Sequence, residues 1–205
     1  MTQFASTQKE VLFKSQTVGW SGPLFESLPE GVATETSGDA SMSHDRKNGL
    51  VVDVGDTEGD KAKILSTDYG EVNYGQMPEI SMTVAGNFQS GSIDINGDLR
   101  IGYLRDDGDS ERGMYWDVAN NEFYVRGADP QPVGIDNARG FILRIYSNYL
   151  EDKTTFEFSM DGEAPITAEF DTIDRSGLEA LLYWESDGVP TDEITIGYAS
   201  QVMSL

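Results

Sequence analysis

Two short acidic segments hold the side chains best suited to binding a metal ion. They are residues 94–98 (Asp-Ile-Asn-Gly-Asp) and residues 106–109 (Asp-Asp-Gly-Asp). Ca²⁺ prefers clustered carboxylate and amide oxygens on a flexible loop. Neither segment reproduces an EF-hand loop, because the terminal bidentate glutamate is missing. We predict Asp106, Asp107 and Asp109 as the better calcium ligands, and solvated acidic turns are the alternative interpretation.

Aromatic side chains offer a second kind of binding chemistry, because an aromatic ring makes apolar contact with the C–H face of a sugar. Trp20 lies in a turn-rich segment, and Tyr69 and Tyr74 each precede a glycine. We predict these three as exposed, candidate glycan-binding residues. Trp116 and Trp184 are in phase with apolar neighbours, and we predict that both are buried in the core.

The sole histidine lies between a serine and an aspartate, which raises the question of nucleophilic catalysis. Ser43, His44 and Asp45 supply the side-chain types of a hydrolytic triad. Neighbours on a strand point to opposite faces of a sheet, so adjacent residues do not converge as a triad requires. We therefore predict that His44 is a solvated loop residue.

Strands are the elements predicted to position these residues, because apolar side chains recur at alternate positions along most of the chain. Ile80, Met82 and Val84 alternate with polar residues, as a half-buried strand requires. Residues 178–184 could begin as a short helix, but their apolar run is typical of a strand buried on both faces, which we favour. The alternating pattern also occurs in residues 50–54, 99–103, 114–118, 141–149, 156–160, 166–170 and 194–198.

Two turn signals predict hairpins. Asn120-Asn121 separates two apolar alternations, and asparagine tolerates the positive φ of a tight turn. That register would place Trp116 near Phe123 or Val125. Asp161-Gly162 is a strong hairpin signal between two further strands. About a dozen short strands joined in this way predict an all-β fold of two antiparallel sheets, packed as a jelly-roll sandwich.

The last part of the chain resembles a known fold family. Residues 141–146 (Phe-Ile-Leu-Arg-Ile-Tyr), residues 155–163 (Thr-Phe-Glu-Phe-Ser-Met-Asp-Gly-Glu) and the closing strand 194–205 resemble the back half of concanavalin A-like, laminin-G-like jelly rolls. The resemblance covers roughly residues 79 to 205. It implies the fold and assigns no activity.

Jelly rolls of this family include glucanases, which place two catalytic glutamates on one strand in a pattern similar to glu-ile-asp-ile-x-glu. The nearest segment here is residues 92–97 (Ser-Ile-Asp-Ile-Asn-Gly). It keeps the central Asp94, but Ser92 and Gly97 stand where the two glutamates would be. Because both catalytic roles are lost, we predict that the protein is not an enzyme.

The charge of the chain limits its partners. The formal net charge is −22, from 36 Asp and Glu against 14 Lys and Arg, and the acidic residues are spread along the sequence. The basic residues form no stripe, which argues against nucleic acid and anionic membranes as partners. The composition resembles that of proteins from extreme halophiles and their viruses. In molar salt the Debye length falls to about 3 Å, so we expect the unfolding temperature to rise with salt.

The opening segment differs from the rest of the chain. Residues 1–8 carry no net charge and little apolar content beyond Phe4, and no apolar stretch of signal-peptide length follows them. Such a segment buries too little surface to order itself, so we predict that a partner fixes it, with Phe4 as the anchor. The expected organisation is a docking segment over residues 1–10 and one jelly-roll domain over residues 11–205.

Two functions remain after these exclusions. The first hypothesis is a non-enzymatic structural subunit of a halophilic archaeal virus, such as a turret, decoration or tail-associated protein. Its partners would be other virion proteins, copies of itself and a host surface glycan. Its location would be the virion, assembled in the host cytoplasm. The alternative is a carbohydrate-binding, lectin-like module of a haloarchaeon. Neither hypothesis requires a cofactor, although the acidic loops leave Ca²⁺ open.

Overall fold

The protein is built from strands joined by turns and bends. The structure is a computed structural model, and it describes residues 17–66, 79–86, 88–89, 92–93, 95–133, 140–148, 150–160 and 163–204. Within these residues, no helix is both long and apolar enough to cross a membrane. The strands, numbered β1 to β17 in chain order, form two large antiparallel sheets and one short hairpin, β7 (Phe88–Gln89) with β8 (Ser92–Ile93).

Sheet A has the strand order β15-β14-β13-β6-β17-β4-β3, and β1 also pairs with β17. The last strand in sequence therefore lies in the middle of the sheet. Its first residues pair with β4 and its later residues with β1, while β6 runs along its other side. The strands are β1 (Thr17–Pro23), β3 (Ser41–Asp45), β4 (Gly49–Asp53), β6 (Glu79–Ala85), β13 (Gly140–Asn148), β14 (Lys153–Ser159), β15 (Ile166–Phe170) and β17 (Ile194–Ser204).

Sheet B has the strand order β12-β11-β10-β9-β16-β5-β2. Its centre joins two segments distant in sequence, because β9 pairs with β10 on one side and with β16 on the other. The strands are β2 (Val32–Ser37), β5 (Lys61–Ser66), β9 (Asp98–Leu104), β10 (Gly113–Asp117), β11 (Glu122–Val125), β12 (Gln131–Pro132) and β16 (Ala180–Glu185).

An aromatic core fills the space between the two sheets. Trp116 from sheet B meets Phe141 and Phe158 from sheet A edge to face, each at 5.1 Å between ring centroids. Phe123 stacks on Phe156 at 4.6 Å. Such aromatic pairs contribute about 0.5–1.5 kcal/mol each beyond the burial of their area. Trp116 and Trp184 are both 0% exposed, so the prediction that these tryptophans belong to the core is confirmed.

The alternating patterns and the turn signals were good guides to the strands. Ile80, Met82 and Val84 are buried on β6. Trp116 lies opposite Phe123, which is one of the two predicted registers, and Asn121 has the positive φ of 53° that the turn requires. Strands β14 and β15 pair across the second predicted hairpin, whose turn residues 161–162 lie outside the described residues.

Two irregularities change which side chains face the core. The pairing of β17 with β6 shifts at Gly197, between Ile196 and Tyr198. As a result Ile196 is buried, whereas Tyr198, two residues further on, is 40% exposed. A second shift lies on β16 between Ala180 and Leu182. A bulge of this kind inserts a residue and re-aims the side chains that follow it.

Parts of the predicted organisation fall outside the structure's description. Residues 1–16, which include the proposed docking segment and Phe4, are not among the described residues. The division into a docking segment over residues 1–10 and a domain over residues 11–205 therefore stays a prediction.

Candidate functional site

The outer face of sheet B, which points away from sheet A, carries two rows of charged and aromatic side chains. Strands expose alternate residues on opposite faces, so residues between core positions point outward. In one row Asp117, Arg100 and Tyr183 lie opposite one another on β10, β9 and β16. In the next row Asp98 on β9 lies opposite Glu185 on β16.

A loop of residues 105–112, here called the acidic loop, joins β9 to β10 and folds over this face. Tyr115 donates a hydrogen bond from its hydroxyl to the carbonyl oxygen of Ser110 at 2.8 Å, and Tyr124 does the same to that of Glu111 at 3.2 Å. Gly108 has a φ of 75° and lies so close to Tyr183 that a Cβ at this position would overlap the ring. Glycine is therefore required there, both for its backbone and for its lack of a side chain.

A small second core lies beneath the acidic loop and explains the apolar run on β16. Tyr115 and Tyr183 are 2% and 3% exposed although they point away from sheet A. Sheet B is thus buried on both faces at this end, as the sequence of residues 181–184 predicted. The members of this cluster are Leu65, Leu104, Tyr115, Ala180 and Tyr183.

Next to the acidic loop lies a groove of about 670 Å³, here called the sheet B groove. Arg100, from the middle of the sheet, lines it together with Ser110 of the acidic loop and with Ala119 and Asn120 of the β10–β11 turn. Its acidic lining consists of Glu58, Asp98, Asp117, Glu185 and Asp187. The groove is therefore rich in hydrogen-bond acceptors, with a single guanidinium among its lining residues.

Arg100 is the most enclosed charge in the groove, with a side chain only 9% exposed. One Nη donates to the carbonyl oxygen of Gly108 and the other to the carboxylate of Asp98. The guanidinium also lies 5.6 Å from the ring centroid of Tyr115 and 5.9 Å from that of Tyr183. This arginine thereby connects the groove, the acidic loop and the tyrosines beneath the loop.

The two carboxylates that face each other across β9 and β16 have pKa values shifted in opposite directions. Burial raises the pKa of Asp98, and the charges of Asp117 and Glu185 raise it further, against the opposing effect of Arg100. Glu185 accepts hydrogen bonds from the Tyr183 hydroxyl and from Lys61, and these hold its pKa below the ordinary value. The groove thus concentrates negative charge around Asp98.

The three predicted calcium ligands lie on the acidic loop. Asp107 accepts a hydrogen bond from the N–H of Asp109 at 3.1 Å, which lowers its pKa. Asp109 accepts from the N–H of Glu111 at 3.0 Å and lies 3.4 Å from Arg112. Among the described residues, no group of three or more Asp, Glu or His side chains is arranged to hold a metal ion. These geometries fit the alternative of acidic turns, and the calcium assignment stays a prediction.

Of the three predicted glycan-binding aromatics, only Trp20 falls within the described residues. Trp20 lies on β1 opposite Gln201, in a strand and not in the turn that the glycine-rich sequence predicted, because the backbone there pairs along β17. Tyr69 and Tyr74, like Phe4, lie outside the described residues. Their roles stay predictions.

His44 lies on strand β3 and not in a loop, which corrects the sequence prediction, although its side chain is exposed as expected. Its Nδ1 is 3.1 Å from the carbonyl oxygen of Leu24. Asp45 accepts hydrogen bonds from the N–H groups of Lys47 and Asn48, both at 2.8 Å. Asp45 therefore fixes the β3–β4 turn.

The glucanase-like segment is divided between two structural elements. Ser92 lies on β8, and Gly97 lies in the bend just before β9. Asp94 is outside the described residues. Asn96 is held by the opposite loop, since its N–H donates to Thr191 at 2.8 Å and its side chain donates to the carbonyl oxygen of Pro190 at 2.9 Å.

Sequence reasoning did not single out the residues that line the sheet B groove. The signal was present as a polar residue after each buried tryptophan, Asp117 after Trp116 and Glu185 after Trp184, and as Arg100 between two core residues. What the sequence did not reveal was that β16 pairs with β9, which brings these residues to one face.

Comparisons with known proteins identify the fold. No protein-family model and no curated protein matches the sequence. Among solved structures, the chain is similar to arcelin-5, a lectin-like defense protein from Phaseolus vulgaris, with a TM-score of 0.64 at 8% identity over 93% of this chain and 99% of that one. Lectin II from Ulex europaeus gives a TM-score of 0.64 at 11% identity over 92% and 99%.

A third similar structure is the Ca²⁺-bound exoplasmic/lumenal domain of VIP36, with a TM-score of 0.57 at 10% identity over 96% of this chain and 93% of that one. Identities this low carry the fold alone. The predicted all-β, jelly-roll sandwich is confirmed, and the chain adopts the concanavalin A-like fold of two antiparallel sheets.

Proposed function

We propose that this protein is a non-catalytic, carbohydrate-binding protein of the lectin type, and that the sheet B groove is its binding site. The observation that carries the proposal is a groove of about 670 Å³ on the outer face of sheet B, lined by acceptor side chains. Its size suits a small ligand, since binding pockets span about 300–1,000 Å³.

The chemistry of the groove suits a polyhydroxylated ligand. Each carboxylate presents two acceptor oxygens, and sugar hydroxyls are donors. Asp98 and Glu185 come from adjacent strands of a sheet, so their backbones are held by the ladder and not by a flexible loop. A rigid scaffold of this kind lowers the entropy cost of binding.

The similar structures favour the lectin hypothesis over the virion one. Two of the three reported above are named as a lectin or a lectin-like protein, and none is named as a virus component. The virion hypothesis depended on composition and on residues 1–8, which lie outside the described residues. No described contact favours it.

Filling the groove tests the proposal. Ala119 is exposed at the groove wall, so Ala119→Trp would occupy the groove without disturbing the core. Ala164 is exposed in the β14–β15 connection and does not line the groove, so Ala164→Trp is the matched control. We expect a glycan array, followed by calorimetric titration of the best ligand, to show binding that Ala119→Trp lowers at least about tenfold.

The control should retain the affinity of the unmodified protein. Equal loss in the two tryptophan variants, or binding that neither variant changes, would place the ligand elsewhere. Absence of any glycan ligand would remove the lectin proposal.

A further inference from the structure

The sheet B groove has a strong charge imbalance that the proposed function does not by itself require. Five carboxylates and one guanidinium line it, which leaves a formal charge of about −4 when all are ionised. Acidic side chains are common over the whole surface of this chain, so the imbalance alone has little meaning. What matters is how these particular charges are enclosed.

Arg100 offsets only one of the five carboxylates, because its guanidinium pairs with Asp98 through one Nη while the other Nη donates to the carbonyl oxygen of Gly108. Its Nε is buried and has no hydrogen-bond partner among the described residues. An N–H donor left in this state beneath a groove is costly, and a ligand oxygen that reached it would remove the cost. Within the described part of the chain, Nε is therefore the one nitrogen of this guanidinium without a hydrogen-bond partner, and the positive charge is already paired with Asp98.

The carboxylates around Arg100 repel one another. Asp98 lies opposite Glu185 across the sheet, and Asp117 lies opposite Arg100 on the next strand. Burial raises the pKa of Asp98, the charges of Asp117 and Glu185 raise it further, and Arg100 opposes both effects. Lys61 lies 3.3 Å from Glu185 and offsets part of its charge, although Lys61 does not line the groove. Asp117 and Asp98 are therefore the carboxylates whose repulsion matters most inside the groove.

We infer that the groove selects its saccharide by charge and binds amino sugars that carry a protonated, non-acetylated amine, whose ammonium lies beside Asp98 and Asp117. This inference rests on the proposed function. The ammonium supplies the positive charge that the groove lacks, and a neighbouring sugar oxygen accepts from the Arg100 guanidinium where it lines the groove. Uronic and sialic acids are excluded, because a further negative charge would enter a field that already opposes one.

A point cation is a poorer occupant than an ammonium. No group of three potential ligand side chains among the described residues is arranged around a common metal position. An ammonium on a sugar needs only one or two carboxylates nearby, because its hydroxyls and ring oxygens make the remaining contacts.

The test compares three trisaccharides that differ in the charge on each sugar unit, which is positive in β-1,4-linked glucosamine, zero in the same oligomer fully N-acetylated, and negative in a uronic acid oligomer. Calorimetric titration at about pH 6 keeps the amine protonated. We expect the amine form to bind about tenfold more tightly than the acetylated form at roughly 0.05 M salt, and the uronic acid not to bind. Raising the salt concentration to about 0.5 M should reduce the difference in affinity between the amine and acetylated forms, because salt screens the charges.

Substitutions separate the groove from the general acidity of the chain. Asp117→Asn removes one charge, keeps the oxygen that accepts from the backbone N–H of Asn120, and loses the oxygen that accepts from the Asn120 side chain. It should lower the amine-to-acetyl affinity ratio about fivefold. Glu157→Gln makes the same change in charge on the outer face of sheet A, and it should leave the ratio unchanged. Melting curves of both variants check that they fold.

The outcomes distinguish this inference from the proposed function. If both substitutions lower the ratio equally, diffuse surface attraction explains the preference and the inference is wrong. If the acetylated oligomer binds as tightly as the amine form, the lectin proposal stands and the charge selection does not. If no oligomer binds and no other glycan is found, both are wrong.

Discussion

The outer faces of the two sheets follow the same alternating pattern and have different chemistry. The outer face of sheet A presents Ile142, Tyr198 and Val202, which are 46%, 40% and 38% exposed, among serines, threonines and partly solvated charged residues. The outer face of sheet B carries the acidic loop, two buried tyrosines and the groove. A side chain that faces away from the core is therefore not always solvated, because a loop that folds back can bury it.

Two arginines show the consequence. Arg144 on sheet A makes two hydrogen bonds to Glu79, at 2.8 and 3.0 Å, and its side chain is 39% exposed. Arg100 on sheet B also pairs with a carboxylate, but its side chain is 9% exposed. On an open face, water stabilises charged side chains in addition to their ion-pair partners. Under a loop, where water is excluded, the protein partners provide most of that stabilisation.

The largest expected effect is from removing the enclosed arginine. Arg100→Met should lower the free energy of unfolding by about 3 kcal/mol, because it leaves the Asp98 carboxylate and the Gly108 carbonyl without their donor. Arg144→Met should cost less than about 1 kcal/mol, since its pair with Glu79 is partly solvated. Urea unfolding measures both, and similar losses would contradict the distinction between the faces.

A methyl group placed under the acidic loop should have the next largest effect. Gly108→Ala should cost about 2 kcal/mol, from the left-handed backbone and from overlap with the Tyr183 ring. Gly127 also has a positive φ, but a Cβ there would meet nothing within 4 Å, so Gly127→Ala should cost only about 1 kcal/mol. Equal losses would mean that the loop does not press on the tyrosine.

The opposed carboxylates should give smaller effects of opposite sign. Asp98 has a pKa raised above its ordinary 3.8, so its contribution to stability is present below pH 3.8 and is lost as the pH rises through the folded value. Glu185 has a pKa lowered below 4.5, so its contribution is present above pH 4.5 and is lost as the pH falls through the folded value.

At pH 7, therefore, Asp98→Asn should leave stability equal or higher, and Glu185→Gln should lower it by less than about 1 kcal/mol, given its solvent exposure. The difference in the free energy of unfolding between Glu185→Gln and the unmodified protein should vanish at low pH. Chemical denaturation at several pH values measures both effects. If the two variants changed stability in the same direction at pH 7, the opposite pKa shifts of Asp98 and Glu185 would be contradicted.

The smallest effect is expected on the outer face of sheet A. Ile142→Thr should change the free energy of unfolding by no more than about 0.5 kcal/mol, because threonine suits a strand and the side chain is 46% exposed. A loss above about 1 kcal/mol by urea unfolding would mean that this face is covered in solution.

The sequence was sufficient for local features and insufficient for those that depend on distant pairing. The hairpin that pairs Trp116 with Phe123 was readable because its turn and its alternation lie within a few residues. The exposure of Tyr198 was not, because the shift at Gly197 arises only when β17 meets β6. The groove was hidden for the same reason, since Asp98 and Glu185 meet only through the pairing of β9 with β16.

The position of β17 has a consequence for how the chain folds during its synthesis. Residues 194–204 form the strand that joins β6 to β4 and β1 in sheet A, and all three neighbours lie before residue 86. More than half of the chain lies after β6 and must therefore leave the ribosome before sheet A can close. Pairings between segments so far apart close slowly, because the entropy of a long loop is lost before the contacts form. Until then β6 and β4 each keep an unpaired backbone edge, which favours aggregation. The strong negative charge of the chain opposes aggregation, because the partly folded molecules repel one another.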